Sequence, residues 1–341
     1  MKSMENEKLE RLTTAIQKNL AGNPSLLIGS GGSVPYGLPS MKALSAEIIR
    51  KLGPLYQTDT AWKSFITELS TSGNFESALD KAFLSNEIHN AVIDTIWSFI
   101  DMKDREAIVE FLKHGTFPSL TLILRKFVQK TDATNIVTTN YDRLIEFAID
   151  SAQGAVKTGF TGDCVKAFGC FQINGTKRIV NLFKVHGSID WFKHRINHNI
   201  MSTGFFSPET LSDIYEPMIV TPGRDKFRET HNDPFRTVMS EADAVLRKSA
   251  SYLCLGYGFN DEHIQPIIIE ENRNKNKPVV IVTKELTAKI EEFFLRDDNS
   301  NCLIISENPS GGTVVHYSKS DKECFSEDFW KLDLFYKIWF E

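Results

Sequence analysis

Four apolar runs in this chain each end in a polar motif, and that recurrence constrains the fold more than any other feature. Leu26-Leu27-Ile28 runs into Gly29-Ser30-Gly31-Gly32-Ser33, and Ile136-Val137 into Thr138-Thr139-Asn140-Tyr141-Asp142. Ile179 to Phe183 precede Lys184-Val185-His186-Gly187-Ser188, and Leu253-Cys254-Leu255 precede Gly256-Tyr257-Gly258-Phe259-Asn260-Asp261. Short apolar runs bounded by turn signals read as buried strands. Helical periodicities separate them, which is the pattern of a mostly parallel α/β sheet. Ligands of such open sheets sit beyond the carboxyl ends of the strands, where all four motifs fall.

Between and around these strands the pattern is as follows. Residues 5–20 form an expected amphipathic helix with Leu9, Leu12, Ile16 and Leu20 on one face, ended before Pro24. Met41 to Leu52 is a second, with Ser40 as N-cap and Gly53-Pro54 as its stop. Residues 55–131 carry helical periodicity and no strand, so they are expected to be a helical insertion within a single domain spanning 1–341. Asn135 to Thr139 and Ile179 to Val185 resume the sheet, with Arg143 to Ser151 a helix. Residues 192–213 read as a loop-rich excursion and Pro217 to Val220 as a short strand. Asp233 to Lys248 is helical, and Ser251 to Leu255, Pro278 to Val282 and Cys302 to Ile305 complete the strands, with helices near 262–273 and 285–295. Phe325 to Phe340 is expected to be helical and, rich in aromatics, to dock on the core or on a partner.

Composition narrows the function classes. The 341 residues are 41% hydrophobic and carry a net charge of −5, so direct nucleic-acid binding driven by a basic excess is not expected. The N-terminal stretch is charged and lacks an apolar core, and no apolar run approaches the roughly 20 residues needed to span a bilayer. A cytoplasmic protein with no membrane partner is the expectation. The five cysteines include no C-x-x-C pair, which excludes a zinc ribbon of that spacing, and no metal is expected.

The motifs carry the chemistry. The side-chain-poor turn Gly29 to Ser33 suits close approach of backbone N–H groups to a phosphate, although an ordinary strand–helix turn has the same look. It is not a P-loop, because no Lys-Ser/Thr pair follows at the needed spacing. Asn140 and Asp142 are good helix caps, and an amide and a carboxylate at a strand end also suit ribose hydroxyls or a water. His186 is the one histidine of eight placed at the end of an expected buried strand, a position suited to a general base. Gly256 and Gly258 form a second glycine turn, in which Asp261 or Asn260 caps the next helix or contacts a ligand. Thr221 to Lys226 reads as a loop. Together the motifs point to an enzyme that holds a dinucleotide and breaks a bond in it.

In family order, from about residue 25 to about 270, these motifs resemble the sirtuin-like superfamily. Gly29-Ser30-Gly31-Gly32-Ser33 is similar to its Gly-Ala-Gly-x-Ser loop, Gly37-Leu38-Pro39 to its Gly-Ile-Pro, Asn140 and Asp142 to its Asn-x-Asp, and His186-Gly187 to its His-Gly. Ser40-Met41-Lys42 replaces the usual Asp-Phe-Arg, and the zinc ribbon of protein deacylases is missing from the sequence. Gly256-Tyr257-Gly258-Phe259, with Asp261 and His263, instead resembles the bacterial branch that includes NAD-depleting anti-phage effectors, some of them paired with HerA-type ATPases or short Argonautes. The resemblance implies a Rossmann-like α/β sheet with NAD+ as substrate. It implies Asn140 and His186 as catalytic residues, and Gly29, Ser30, Gly31, Ser33, Asp142, Gly256 and Gly258 as NAD+ contacts. A homo-oligomer, with or without a HerA-type ATPase partner, goes with it. The alternatives are an NAD-dependent protein deacylase and a non-catalytic module that binds NAD+ or ADP-ribose.

Overall fold

In the computed structural model the described residues are 2–72, 75–115, 118–129, 133–161, 165–168, 179–204, 211–220, 232–261, 263–297 and 299–340. Helix α1 (Lys2–Asn19) leads into β1 (Ser25–Ile28), two 3-10 turns and α2 (Met41–Tyr56). Next come α3 (Thr60–Ser72), α4 (Phe75–Lys81), α5 (Asn86–His114) and α6 (Pro118–Val128), then β2 (Thr134–Thr138) and α7 (Leu144–Ser151). The middle of the chain holds β3 (Ala155–Lys157), β4 (Phe160–Thr161), β5 (Val165–Phe168), β6 (Ile179–Lys184), β7 (Gly187–His194), β8 (Ile200–Thr203) and β9 (Tyr215–Ile219). Helix α8 (Phe235–Lys248), β10 (Tyr252–Leu255), α9 (Gln265–Lys275), β11 (Val279–Thr283), α10 (Ala288–Phe294), β12 (Cys302–Glu307), β13 (Thr313–His316), β14 (Lys322–Phe325) and α11 (Leu332–Phe340) follow.

The main sheet has the order β14-β13-β12-β11-β10-β1-β2-β6-β3. It is parallel from β12 to β3, with an antiparallel β12-β13-β14 meander at one edge. This is the expected Rossmann-like, mostly parallel α/β fold. The chain builds outward from β1 through β2 to β6 and β3, then returns to β1's other side at β10. The order therefore reverses at β1, and a crevice at such a switch point is the usual ligand site. Alternation along the strands serves both faces: Leu26, Ile28, Leu253 and Leu255 join one core, and Leu27, Val137 and Cys254 the other.

Helices α3 to α6 occupy the stretch expected to be a helical insertion. Helix α5 starts at Ser85, whose hydroxyl accepts from Ile88 N at 3.3 Å, and ends at Gly115 in the left-handed region. It buries Val92, Ile96, Trp97 and Ile100, and Trp97 Nε1 donates to Ile189 O of β7 at 2.8 Å. The aromatic C-terminal helix docks on the core, with Phe335 fully buried and Trp339 against Phe127 of α6.

Several expectations are corrected. Helix α2 does not stop at Gly53-Pro54 but runs to Tyr56, because a proline in the last turn removes only one ladder bond. Leu9 lies on the solvent side of α1, 36% exposed, while Leu12, Ile16 and Leu20 are buried. The excursion over 192–213 holds the end of β7 and all of β8, part of a second, antiparallel sheet of order β4-β5-β8-β7-β9. Phe325 ends strand β14 and helix begins only at Leu332. Thr221 to Lys226, Cys164 and Cys170 lie outside the described residues.

Candidate active site at the sheet switch point

The two glycine loops at the carboxyl ends of β1 and β10 pack backbone to backbone. Gly31 N donates to Gly256 O at 3.0 Å, and a Cβ on Gly256 (φ +57°) would stand 2.3 Å from Gly31 C and Gly32 N. A Cβ on Gly29 would stand 2.5 Å from Gly256 O. The glycines are thus required first by each other. This contact also consumes donors: Gly29 N bonds Leu255 O, Gly32 N bonds Gly29 O, and Ser33 N bonds Ser30 O. Gly31 is not on the cavity wall. Among the described residues the N–H groups of Ser30, Gly258 and Asn260 have no protein acceptor, and all three residues line the cavity.

Asn140 is fixed just past β2 and is 6% exposed. Thr138 Oγ1 donates to Ile28 O at 2.6 Å and accepts from Asn140 N at 3.1 Å, tying the exits of β1 and β2 together. Asn140 Nδ2 donates to Gly29 O and Ser33 Oγ, each at 3.0 Å. Gly29 O can only accept, so the amide orientation is settled. Both amide protons are spent, and Oδ1 is the polar atom left to a ligand. The Asp142 carboxylate accepts from Leu144 N, the first residue of α7, at 3.1 Å. Burial lifts the Asp142 carboxyl above the usual range, with Lys184 pulling the other way.

Two charged pairs behind this loop set its course, and neither was picked out as a site residue by sequence. Lys184 Nζ, fully buried at the end of β6, donates to Asp142 O at 2.6 Å, Ser188 Oγ at 2.7 Å and Glu146 Oε1 at 2.8 Å. A lysine closing a buried, largely apolar strand is the sequence signal for such a role, since a buried ammonium needs acceptors on all sides. Asp104, fully buried on α5, accepts from Arg143 N at 2.7 Å and from its guanidinium at 2.6 and 3.0 Å. That fork ties the helical stretch to the residue after Asp142. Asp104→Asn keeps the shape but turns a donor towards the guanidinium. It should cost about 2 kcal/mol, read as a lower urea midpoint at unchanged m; an unchanged midpoint would show that the fork contributes nothing.

His186 follows β6, and its backbone O accepts from Val220 N at 2.8 Å. Tyr141 OH donates to the carbonyl of the same Val220 at 2.7 Å. The imidazole Nε2 lies 2.7 Å from Asp261 Oδ2, although the oxygen is out of line with a hydrogen bond from the ring. Asp261 Oδ1 accepts from His263 N at 2.9 Å and Ile264 N at 3.1 Å, ahead of α9. Asp261 therefore combines the two roles weighed for it in sequence, a cap and a wall of the site, and adds a contact with His186 that spacing does not reveal.

One cavity joins these groups. Its polar side carries Gly29, Ser30, Ser33, Asn140, Asp142, His186, Gly256, Gly258 and Asp261. Its apolar side is Leu38, Pro39, Met41 and Leu44 before and along α2, with Ile96 and Ile100 of α5. The four motifs, far apart in sequence, thus meet at the reversal of strand order. Among the described residues no group of three or more His, Cys, Asp or Glu side chains is placed to hold a metal ion, and no helix is long and apolar enough to cross a membrane.

No curated protein sequence matches the chain significantly. Among solved structures, that of Sir2Tm bound to a propionylated peptide aligns at 15% identity and TM-score 0.45, covering 85% of this chain and 91% of that one. A Sir2 homologue in complex with ADP ribose aligns at 12% identity and TM-score 0.45, covering 82% and 87%. The family model described as a SIR2-like domain matches residues 134–303, a stretch that begins at β2 and leaves out the first glycine loop. Asn140, Asp142, His186, Gly256 and Asp261 all lie within that match to the SIR2-like domain.

Proposed function

We propose that this chain hydrolyses NAD+ at the bond between nicotinamide and ribose, releasing nicotinamide and ADP-ribose. The observation that carries the reading is the single cavity in which Asn140, with only its Oδ1 left to offer, shares a wall with His186 and with the unspent N–H groups of Ser30, Gly258 and Asn260. Those N–H groups take the pyrophosphate. Asn140 Oδ1 accepts a hydrogen bond from the attacking water or from a ribose hydroxyl. His186 takes the proton of the water as its oxygen bonds to C1′ of the nicotinamide ribose. The C1′–N bond breaks with its electron pair passing to the pyridinium nitrogen, so nicotinamide leaves neutral and needs no acid. The transition state is oxocarbenium-like. Asp142 holds the ribose or nicotinamide side, and Leu38, Leu44, Ile96 and Ile100 keep water from the rest of the cavity.

The absence of C-x-x-C pairs from the sequence favours hydrolysis over deacylation by a ribbon-bearing enzyme. Incubation with NAD+ alone tests this: nicotinamide should appear without any acylated peptide. Release that requires such a peptide would establish the deacylase instead, and binding without turnover the signalling module. An unchecked NAD+ hydrolase would poison its own cell, so we assign the activity to a gated effector of anti-phage defence, switched on by self-assembly or by a partner such as a HerA-type ATPase. Specific activity should then rise with the assembled fraction in light scattering. Full turnover by a dilute monomer would overturn the gate.

A further inference from the structure

The hydrolysis reading leaves the contact between His186 and Asp261 without a role. Nε2 of His186 is buried, and Asp261 Oδ2 stands 2.7 Å from it. At that separation two bare lone pairs would repel, so one of the two atoms carries a proton, and a small turn of the ring would bring it into line between them. An ionised carboxylate has no proton to give, so the nitrogen carries it. Nδ1 then has no protein partner among the described residues and is the nitrogen available to a ligand. Asp261 cannot drift away from the ring freely, since its Oδ1 is held by the N–H groups of His263 and Ile264. The other titratable side chains on the cavity wall are Tyr141, Asp142 and Tyr257. Catalytic hydrogen bonds are often poorly aligned before substrate arrives, which accounts for the oblique approach of Oδ2.

We propose that Asp261 is a positioning residue for His186. It takes the Nε2–H bond, fixes Nδ1 as the proton-accepting nitrogen, and offsets the positive charge that forms when Nδ1 accepts the proton of the attacking water. Resting on the hydrolysis reading, this adds to it the atom that acts and the residue that directs it. A cap alone needs only Oδ1; the inward placement of Oδ2 against a ring nitrogen is what the second role explains.

Asp261→Ser separates the roles, because serine is a good cap but is too short to reach the ring. The variant should melt within a few degrees of the parent and keep KM for NAD+ within about threefold, while kcat falls about 100-fold. Nitrogen-15 spectra of histidine-labelled protein, with His186 assigned through His186→Gln, should show the Nε2–H tautomer in the parent and a mixture in Asp261→Ser. An undiminished kcat in a folded variant, or a parent His186 protonated at Nδ1, would overturn the proposal. The tautomer is read without turnover. A protein inert towards NAD+ that still shows Nε2–H would therefore refute the hydrolysis reading and leave the pairing intact.

Discussion

Replacing His186 with alanine should lower nicotinamide release at least about 100-fold, the usual contribution of a positioned general base. Its side chain lies against Asp261 and the cavity, and the nearby backbone bond to Val220 uses the carbonyl, which alanine keeps. The fold should therefore survive. Asn140→Ala should cost a similar factor for a different reason. It removes the acceptor Oδ1 and also releases Gly29 O and Ser33 Oγ, so the first glycine loop loses its tie to β2. KM for NAD+ should rise in Asn140→Ala and change little in His186→Ala. The measurement is steady-state nicotinamide release with unfolding curves run alongside. Unchanged turnover in either folded variant removes that residue from the catalytic assignment.

Gly256→Ala should be strongly destabilising. Its φ of +57° is costly for a residue with a Cβ, by about 1–3 kcal/mol, and the added carbon would meet Gly31 C and Gly32 N at 2.3 Å. Those neighbours are backbone, held by Gly31 N to Gly256 O and Gly32 N to Gly29 O, so they cannot swing aside as a side chain does. Adding about 1–3 kcal/mol for overpacking gives a loss of about 4 kcal/mol, with the two loops forced apart and NAD+ turnover lost. Urea unfolding reads this directly. A variant with the parent's midpoint would mean that the two loops can separate at little cost, and that the switch-point crevice is not the rigid cradle described above.

Strands β1, β2, β6 and β10 were legible because parallel strands covered on both faces are continuous apolar runs, and the motifs that end them mark the ligand edge. Strands β7, β8, β13 and β14 were not. Lys322–Phe325 is a largely exposed antiparallel strand rich in polar residues, and Gly187–His194, although mostly buried, has its apolar run broken by Ser188, Asp190, Lys193 and His194, so both look like loops. At the site, Asn140, Asp142 and His186 were legible because each directly follows a buried strand. Asp104 and the His186–Asp261 pairing were not, since contacts between a helix and a distant strand end exist only after packing. The glycines were legible as glycines, but their reason was not. Close approach was expected towards a phosphate, whereas Gly31 and Gly256 approach each other, and N–H groups without a protein acceptor among the described residues include those of Ser30, Gly258 and Asn260.

The central claim is tested most directly by following NAD+, nicotinamide and ADP-ribose chromatographically with purified protein, at concentrations where it is assembled, and no other substrate. Equal amounts of nicotinamide and ADP-ribose should accumulate in the parent, and neither in His186→Ala. NAD+ that stays intact with the assembled parent, or that is consumed equally by His186→Ala, would contradict the account.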